Sequence, residues 1–486
     1  MKNKSYSSLI FFALDILLVI LSAYVSFLLR FDGMIPGEKL RVLFNFTILA
    51  VLVTPAIFYL FNLYKKSWTF VSLTDLPIII KGVGVSALFL GTILYITRDS
   101  YLFLGFPRSV VFIYAIILFF LISGLRFSKR IYWQMIKGDQ GLSKPEHQVA
   151  LPLTSKEVNG YQPKNISITG GAGYIGSVLA RKLLNNGYKV KVVDKLLFGD
   201  TSIKVLYENP NFQLIVGDIL DSELMSKALS DVDAVIHLAA IVGEPACVSR
   251  KDLALKTNYL GSVYLARLCK SLGIRRFLQA STCSTYGQQD NKEAVKETAK
   301  LFPVDFYGET KIYAERELMK LMDNSFNPTI LRFSTVYGLS PRMRFDLVVN
   351  TLTKKAVIEK EISIFGGDQW RPLIHVQDIS RAIISVLEAP ISKVGNQVFN
   401  VGGNAENYLV SEIGEIVKRN IPDIKIETIE GVSDKRSYKV DFSKIEKELD
   451  FRPSKRVENG VLEIRDAIKS GRFTDLENKN HYNHLI

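Results

Sequence analysis

Four long apolar runs, at about 8–29, 42–64, 76–97 and 110–127, occupy the first part of the chain. Each is close to the roughly 20 residues that a helix needs to cross a bilayer, so the pattern predicts four membrane helices in a membrane domain over 1–137. The first run is too long for a signal-peptide core and lacks a small-residue cleavage site, so it is expected to be retained. From residue 165 the pattern changes. Short apolar runs at 165–169, 189–193, 212–216, 234–237 and 277–280 alternate with amphipathic segments of helical period. That rhythm predicts an α/β fold with a doubly wound, Rossmann-like parallel sheet over 165–475. Residues 138–164 are polar, contain Pro and Gly, and read as a linker, and 476–486 reads as a polar tail.

The charges place these parts. Lys2 and Lys4 precede the first run, Lys65 and Lys66 follow the second, and Arg126, Lys129, Arg130 and Lys137 follow the fourth. Arg30, Lys39, Arg41, Arg98 and Arg108 sit in the other connections, so the cluster after the fourth run decides the orientation. Both termini and the α/β part are expected in the cytoplasm, with the chain multi-pass in the inner membrane. Asp15 falls in the middle of the first run and Pro55 inside the second. A carboxylate at that depth faces the bundle, either as a packing group or as a polar contact to a lipid-linked substrate. Lys65, Lys66 and Trp68 fit an interfacial anchor.

Composition excludes several classes. The chain has 486 residues, 48% hydrophobic and 22% charged, with a mean hydropathy of +0.15, which rules out a disordered or collagen-like chain. Three cysteines, Cys247, Cys269 and Cys283, make no disulfide framework, and no ligand spacing points to a metal. The net charge of +13 comes from scattered lysines without a nucleic-acid motif, so lipid surfaces and anionic substrates are the expected partners.

The chemistry begins at 165–169. This strand runs into Gly170-Gly171-Ala172-Gly173-Tyr174-Ile175-Gly176, then an amphipathic helix, then a second strand ending in Asp194. Gly170 permits the tight turn, Gly173 lets the backbone approach a pyrophosphate, and Gly176 lets helix and strand pack closely. The helix N-terminus offers unpaired N–H groups to phosphate. Asp194, about 18 residues beyond Gly176, suits the two adenosine ribose hydroxyls and repels a 2′-phosphate, which favours NAD over NADP. Lys195 next to it weakens that preference. The next two strands end in Gly217-Asp218-Ile219 and in His237-Leu238-Ala239-Ala240, whose small residues let the backbone approach the cofactor. Asp218 suits either the adenine amino group or the N-cap of the following helix. His237 reads as structural.

A hydroxyl-rich strand end, Ser281-Thr282-Cys283-Ser284, is followed by Tyr307-Gly308-Glu309-Thr310-Lys311. Tyr307 and Lys311 at i and i+4 share a helix face. An ammonium near the phenol lowers its pKa from about 10 and makes Tyr307 a general base. Lys311 also suits the nicotinamide ribose, and Thr282 or Ser281 suits alignment of a substrate hydroxyl.

With these motifs in hand, residues 165–470 resemble an extended short-chain dehydrogenase/reductase of the nucleotide-sugar epimerase/dehydratase family. The matching stretches are TGGAGYIG (169–176), GDI (217–219), HLAA (237–240), STCSTYG (281–287), YGETK (307–311), LRFSTVYG (331–338), GGDQWRPLIHVQDI (366–379), NVGG (400–403) and DKRSYKVDFSKI (434–445). The resemblance implies an NAD-binding core with a smaller C-terminal substrate subdomain, and catalytic roles for Thr282, Tyr307 and Lys311. It implies that Arg371 and Arg436 clamp the diphosphate of a nucleotide sugar, which suits guanidinium chemistry. The competing reading of Arg436 is a surface ion pair with Asp434. Asn350 is a further candidate for a diphosphate or sugar contact. A homodimer built on the Tyr-x-x-x-Lys helix is implied as well.

The family begins most reactions by oxidising a sugar hydroxyl to a ketone. Its dehydratases typically carry Thr-Asp-Glu at the strand end, where this chain has Thr282-Cys283-Ser284. Epimerisation at C4 is therefore expected, ahead of a 4,6-dehydratase or a keto-sugar reductase. The membrane region resembles that of membrane-bound polysaccharide-biosynthesis dehydratases, although the linker is too short for their intervening domain and Tyr307 is present where many of them replace it. Surface-glycan synthesis is implied, with product passed to membrane glycosyltransferases or with a polyprenyl-diphosphate sugar as substrate. A non-enzymatic NAD or nucleotide-sugar scaffold is the remaining class, and the intact Thr282, Tyr307 and Lys311 speak against it.

Overall fold

A computed structural model describes residues 2–61, 63, 76–135, 163–289, 293–429 and 436–485, and the chain divides into two compact units, Met1–Gln148 and Val149–Ile486. The first unit holds helices α1 (Lys2–Arg30), α2 (Leu40–Leu60), α3 (Leu76–Ile96) and α4 (Ser109–Met135). α1 lies against α2 and α4, and α3 closes the bundle against the same two helices. The inward stripe of α1 is Asp15, Val19, Ser22, Ala23, Ser26 and Phe27, all buried at helical spacing. Asp15 thus faces the bundle interior. Pro55 lies on the buried face of α2 next to Thr54, whose hydroxyl is 2.9 Å from that of Tyr114. The outer faces are apolar too, with Leu17, Leu88 and Phe112 each more than half exposed.

Among the described residues three helices, Phe12–Arg30, Gly37–Leu60 and Pro77–Ile96, are long and apolar enough to cross a membrane. The sequence pattern predicts four. Among the described residues the apolar part of α4, Ser109–Leu125, is shorter. The expected anchor at Lys65, Lys66 and Trp68 and nearly all of the expected linker lie outside the described residues.

Among the described residues the second unit has twelve strands: β1 (Asn165–Thr169), β2 (Lys189–Asp194), β3 (Phe212–Val216), β4 (Ala234–His237), β5 (Arg276–Thr282), β6 (Asn327–Phe333), β7 (Thr335–Tyr337), β8 (Glu361–Phe365), β9 (Trp370–His375), β10 (Val398–Val401), β11 (Asn407–Leu409) and β12 (Lys425–Ile429). Seven of them form one parallel sheet in the order β10-β6-β5-β4-β1-β2-β3. β4 and β6 are buried at every position, as strands covered on both faces must be. Ile168, Leu183, Leu278 and Ile383 pack on one face, and Val235, Leu265, Phe277 and Leu318 on the other. The strand order reverses at β1, and the crevice beyond the carboxyl ends of β1 and β4 is where such sheets bind ligands. A smaller subdomain holds the short sheets β11-β9-β7 and β12-β8, with helices Val348–Ile358, Val410–Asn420 and Val457–Lys469 around a separate core.

The C-terminal residues are not the free polar tail that their composition suggests. Tyr482 is buried, its hydroxyl accepts from Lys354 Nζ at 2.8 Å, and Lys354 also pairs with Glu477. The Phe345 amide donates to the His481 carbonyl at 3.0 Å. Apolar contact under the polar tips of Lys354 and Tyr482 holds the segment down.

Candidate active site

A cavity of about 330 Å³ opens at the reversal point of the large sheet. The turn after β1 forms its floor. Gly170 has φ of +75°, and a Cβ there would come 2.7 Å from the Ala239 nitrogen, so only glycine fits. A Cβ on Gly176 would come 2.5 Å from the Gly170 carbonyl oxygen, which keeps the helix start tight against the turn. Helix Gly176–Asn185 begins without a side-chain cap, which leaves its first N–H groups available to an anion. Gly170, Gly173, Tyr174, Ile175 and Gly176 all line the cavity. The Tyr174 hydroxyl is spent on the Gly338 carbonyl, to which it donates at 2.6 Å.

Asp194 closes β2 and lines the same cavity. Its Oδ2 accepts from the Ala172 amide at 2.9 Å and its Oδ1 from the Leu196 amide at 2.8 Å. Burial pushes this carboxyl above its ordinary value, against the pull of those two donors. Asp218 lies on the cavity wall with Ile219, and its Oδ2 pairs with Lys195 Nζ at 2.9 Å. It does not cap the next helix. That role falls to Asp221, whose carboxylate accepts from the Leu224 amide at 3.1 Å. Leu238, Ala239 and Ala240 complete the wall from β4. These residues fit a dinucleotide: a cradle that side chains would fill, a free helix start, and an acid at the end of β2.

His237 is structural. It is buried between the hydroxyls of Thr169 at 2.6 Å and Ser262 at 2.9 Å. Burial pushes its imidazole down to about 3, so it is neutral in the folded protein at neutral pH. The unfolded chain binds the extra proton below its ordinary value of about 6.5. The stabilisation is therefore complete above about pH 6.5 and falls as pH drops toward 3, by about 1.4 kcal/mol per pH unit. His237→Gln is expected to flatten this part of the denaturation profile, measured by urea titration between pH 7 and 4; an unchanged slope would remove His237 from the account.

Thr282, Tyr307 and Lys311 meet at the cavity's inner end. Helix Phe306–Leu321 starts at an Asp305 N-cap, whose Oδ1 accepts from the Gly308 amide at 2.6 Å, and this fixes Tyr307 in the first turn. Lys311 is buried, donates to the Ala280 carbonyl at 3.0 Å and lies 5.9 Å from the centre of the Tyr307 ring. Burial pushes the ammonium down to about 8. Burial likewise pushes the Tyr307 phenol up, against the lowering expected from Lys311. The Thr282 hydroxyl accepts from the Ser284 amide at 3.1 Å, and Ser284 also lines the cavity.

Other expected roles change. Ser281 lies among the cavity residues, but its hydroxyl donates to the buried carboxylate of Glu315. The Thr282 hydroxyl, whose contact is the Ser284 amide, does not share that partner. Asn350 is fully buried and away from the cavity; it accepts from the Gly338 amide at 3.0 Å and donates to the Tyr174 hydroxyl at 3.1 Å and the Arg344 carbonyl at 2.8 Å. It is a scaffold residue rather than a sugar ligand. Arg436 lines the cavity, and its Nη1 pairs with Asp305 Oδ2 at 3.3 Å, whereas Asp434 lies outside the described residues. Arg371 is not on the cavity wall; it donates to the main-chain carbonyls of Trp370, at 2.9 Å, and Arg436. It holds Arg436 in place.

Sequence reasoning missed Glu244, Phe198, Arg342, Arg344 and Asn483. Glu244 Oε2 accepts from the Tyr307 amide at 3.2 Å, and burial pushes its carboxyl up. Only the acid-Pro pair at a helix start pointed to it. The other four line the cavity.

The family model described as the NAD dependent epimerase/dehydratase family matches residues 166–402. The chain is 33% identical over 265 residues to the uncharacterized UDP-glucose epimerase YtcB of Bacillus subtilis (strain 168), covering 52% of this chain and 81% of that protein. It is 30% identical over 321 residues to RHM2 of Arabidopsis thaliana, a trifunctional UDP-glucose 4,6-dehydratase/UDP-4-keto-6-deoxy-D-glucose 3,5-epimerase/UDP-4-keto-L-rhamnose-reductase; this covers 63% of this chain but only 47% of RHM2. Among solved structures, UDP-glucuronic acid 4-epimerase from Bacillus cereus, in complex with UDP-glucuronic acid and NAD, superposes with a TM-score of 0.57 at 30% identity, covering 63% of this chain and 99% of that one. The chain therefore belongs to the NAD-dependent epimerase/dehydratase family.

Proposed function

We propose that this chain is a membrane-anchored, NAD-dependent nucleotide-sugar epimerase that inverts C4 through a transient ketone and supplies surface polysaccharide or glycan synthesis. The observation that carries this reading is one cavity holding Thr282, Tyr307 and Lys311 beside the dinucleotide cradle. NAD, when bound, supplies a reversible hydride acceptor. Thr282 orients the sugar hydroxyl, Tyr307 takes its proton and later returns it, and Lys311 holds positive charge near the phenol. Arg436, positioned by Arg371, exchanges its contact with Asp305 for the substrate diphosphate. Cys283 is buried with its thiol on the Arg332 carbonyl at 3.3 Å, and Ser284 offers no carboxyl, so this strand end supplies no acid or base for eliminating water. The similarity to Bacillus epimerases supports the same choice.

The reading places four helices in the inner membrane, with both termini and the catalytic unit in the cytoplasm. The protein forms a homodimer through the helix that carries Tyr307, and hands product to membrane glycosyltransferases. The buried Asp15 and the apolar outer faces of the helices favour a second reading, in which the sugar is polyprenyl-linked and the bundle holds its lipid. The test is the full chain in lipid nanodiscs with NAD in heavy water, given UDP- and dTDP-hexoses and a polyprenyl-diphosphate hexose. An isomer of unchanged mass without solvent deuterium is expected. A product lighter by one water overturns the epimerase reading, and turnover of the lipid-linked sugar alone selects the second.

A further inference from the structure

The loop between β7 and helix Val348–Ile358 carries two buried arginines that face different circumstances. Arg344 has an anion of its own: Nη2 lies 2.6 Å from Asp346 Oδ2 and Nε lies 3.0 Å from Oδ1. Arg342 is 6% exposed, and its Nε and Nη2 are buried without a hydrogen-bond partner among the described residues. Its guanidinium carbon sits 3.6 Å from the centre of the Phe198 ring. Phe198 follows Asp194 by four residues, and both line the cavity with Arg342 and the glycine turn. Asp194 is already engaged by the Ala172 and Leu196 amides. A buried guanidinium with unmet donors is unfavourable and calls for an anion that arrives from outside.

The loop is fixed to the phosphate turn. Ser340 Oγ donates to the Tyr174 carbonyl at 2.7 Å and lies 3.3 Å from Ser177 Oγ, and the Tyr174 hydroxyl reaches the Gly338 carbonyl. Arg342 is thus held in register with the helix start at Gly176. The planar guanidinium fork matches phosphate oxygens, and the aromatic platform keeps the fork oriented. Burial and the neighbouring Arg344 push its pKa down to about 9, which leaves it charged at neutral pH.

We propose that Arg342, stacked on Phe198, is a ligand for the diphosphate of the bound dinucleotide and clamps the cofactor from the loop that follows β7. The proposal rests on the NAD reading above. It gives the protein a reason to retain its cofactor between turnovers, as an enzyme that must reduce its own ketone requires.

The test titrates cofactor-free full-length protein, wild type and Arg342→Gln, Arg342→Lys and Phe198→Leu, with NAD, ADP-ribose, adenosine and UDP-glucose by calorimetry. Affinity for NAD and for ADP-ribose is expected to fall about 10- to 100-fold in Arg342→Gln. Phe198→Leu and Arg342→Lys are expected to fall between that variant and wild type, while adenosine and UDP-glucose binding change less than about threefold. Unchanged NAD and ADP-ribose affinity in the Gln variant overturns the proposal. So does a loss confined to UDP-glucose, which assigns Arg342 to the substrate instead. If Arg342→Gln does not fold, judged by its melting curve, the Lys and Leu variants decide by the same criteria. Wild-type protein that fails to bind NAD at all defeats the underlying NAD reading, a result distinct from equal binding by wild type and variants.

Discussion

Tyr307→Phe is expected to lower turnover by about 10²- to 10⁴-fold, the usual contribution of a positioned acid–base group. NAD affinity should change little, because the substitution removes one hydroxyl and leaves the ring, the helix start at Asp305 and the Lys311 contact to the Ala280 carbonyl in place. Lys311→Met is expected to lower both turnover and NAD affinity, since the ammonium stands at the cavity wall beside the β5 end. Steady-state kinetics and calorimetric NAD titration separate the two. Burial, with the neighbouring Cys247 next in size, pushes the phenol up, so proton removal by Tyr307 has to work against that shift. A Tyr307→Phe enzyme with near wild-type turnover would remove Tyr307 from the chemistry. A variant without turnover that still restored the biological function of a null strain would point to the scaffold class.

The second large effect is on stability. Arg332 and Glu315 form an ion pair 6% and 5% exposed, with Nη2 to Oε2 at 2.7 Å. Glu315 also accepts from Ser281, and Arg332 Nη1 donates to the Tyr286 hydroxyl at 3.0 Å and the Glu297 carbonyl at 3.0 Å. Tyr286 in turn donates to Asn400 at 2.7 Å. The network joins β5, β6 and β10 to the helix that carries Tyr307 and Lys311. Glu315→Ala leaves the guanidinium charged and unpaired in the interior, and is expected to cost about 3–5 kcal/mol. The melting temperature of the catalytic unit should fall by on the order of 10 °C, followed by near-ultraviolet circular dichroism. Replacing both residues by Met is expected to recover part of the loss, because no buried charge then remains. A Glu315→Ala melt within 2–3 °C of wild type, roughly what about 1 kcal/mol would give, would contradict this view of the network.

What the sequence disclosed was local. The phosphate turn, its helix and Asp194 fall within one βαβ unit, and Tyr307 and Lys311 within one helical turn, so each constellation is legible from spacing alone. What it hid was long-range or directional. Phe198 and Arg342 meet only after the subdomain folds back on the core, and nothing near either residue announces the stack. Ser281 and Thr282 look interchangeable as letters and both line the cavity, but the Ser281 hydroxyl is spent on Glu315, a partner that lies 34 residues further along the chain. Asn350 resembles a polar ligand on a helix, yet its amide is consumed by Gly338, Tyr174 and Arg344. The last residues read as polar because the partner of Tyr482 is Lys354, far earlier in the chain.

The most direct test of the central claim uses a nucleotide hexose carrying deuterium at C4, incubated in ordinary water with the full-length protein and NAD. An enzyme that oxidises and re-reduces one sugar within a single cavity returns the label, and the C4 epimer is predicted to keep its deuterium at C4. An epimer that has lost the label to solvent, or a product lighter by one water, would contradict the account.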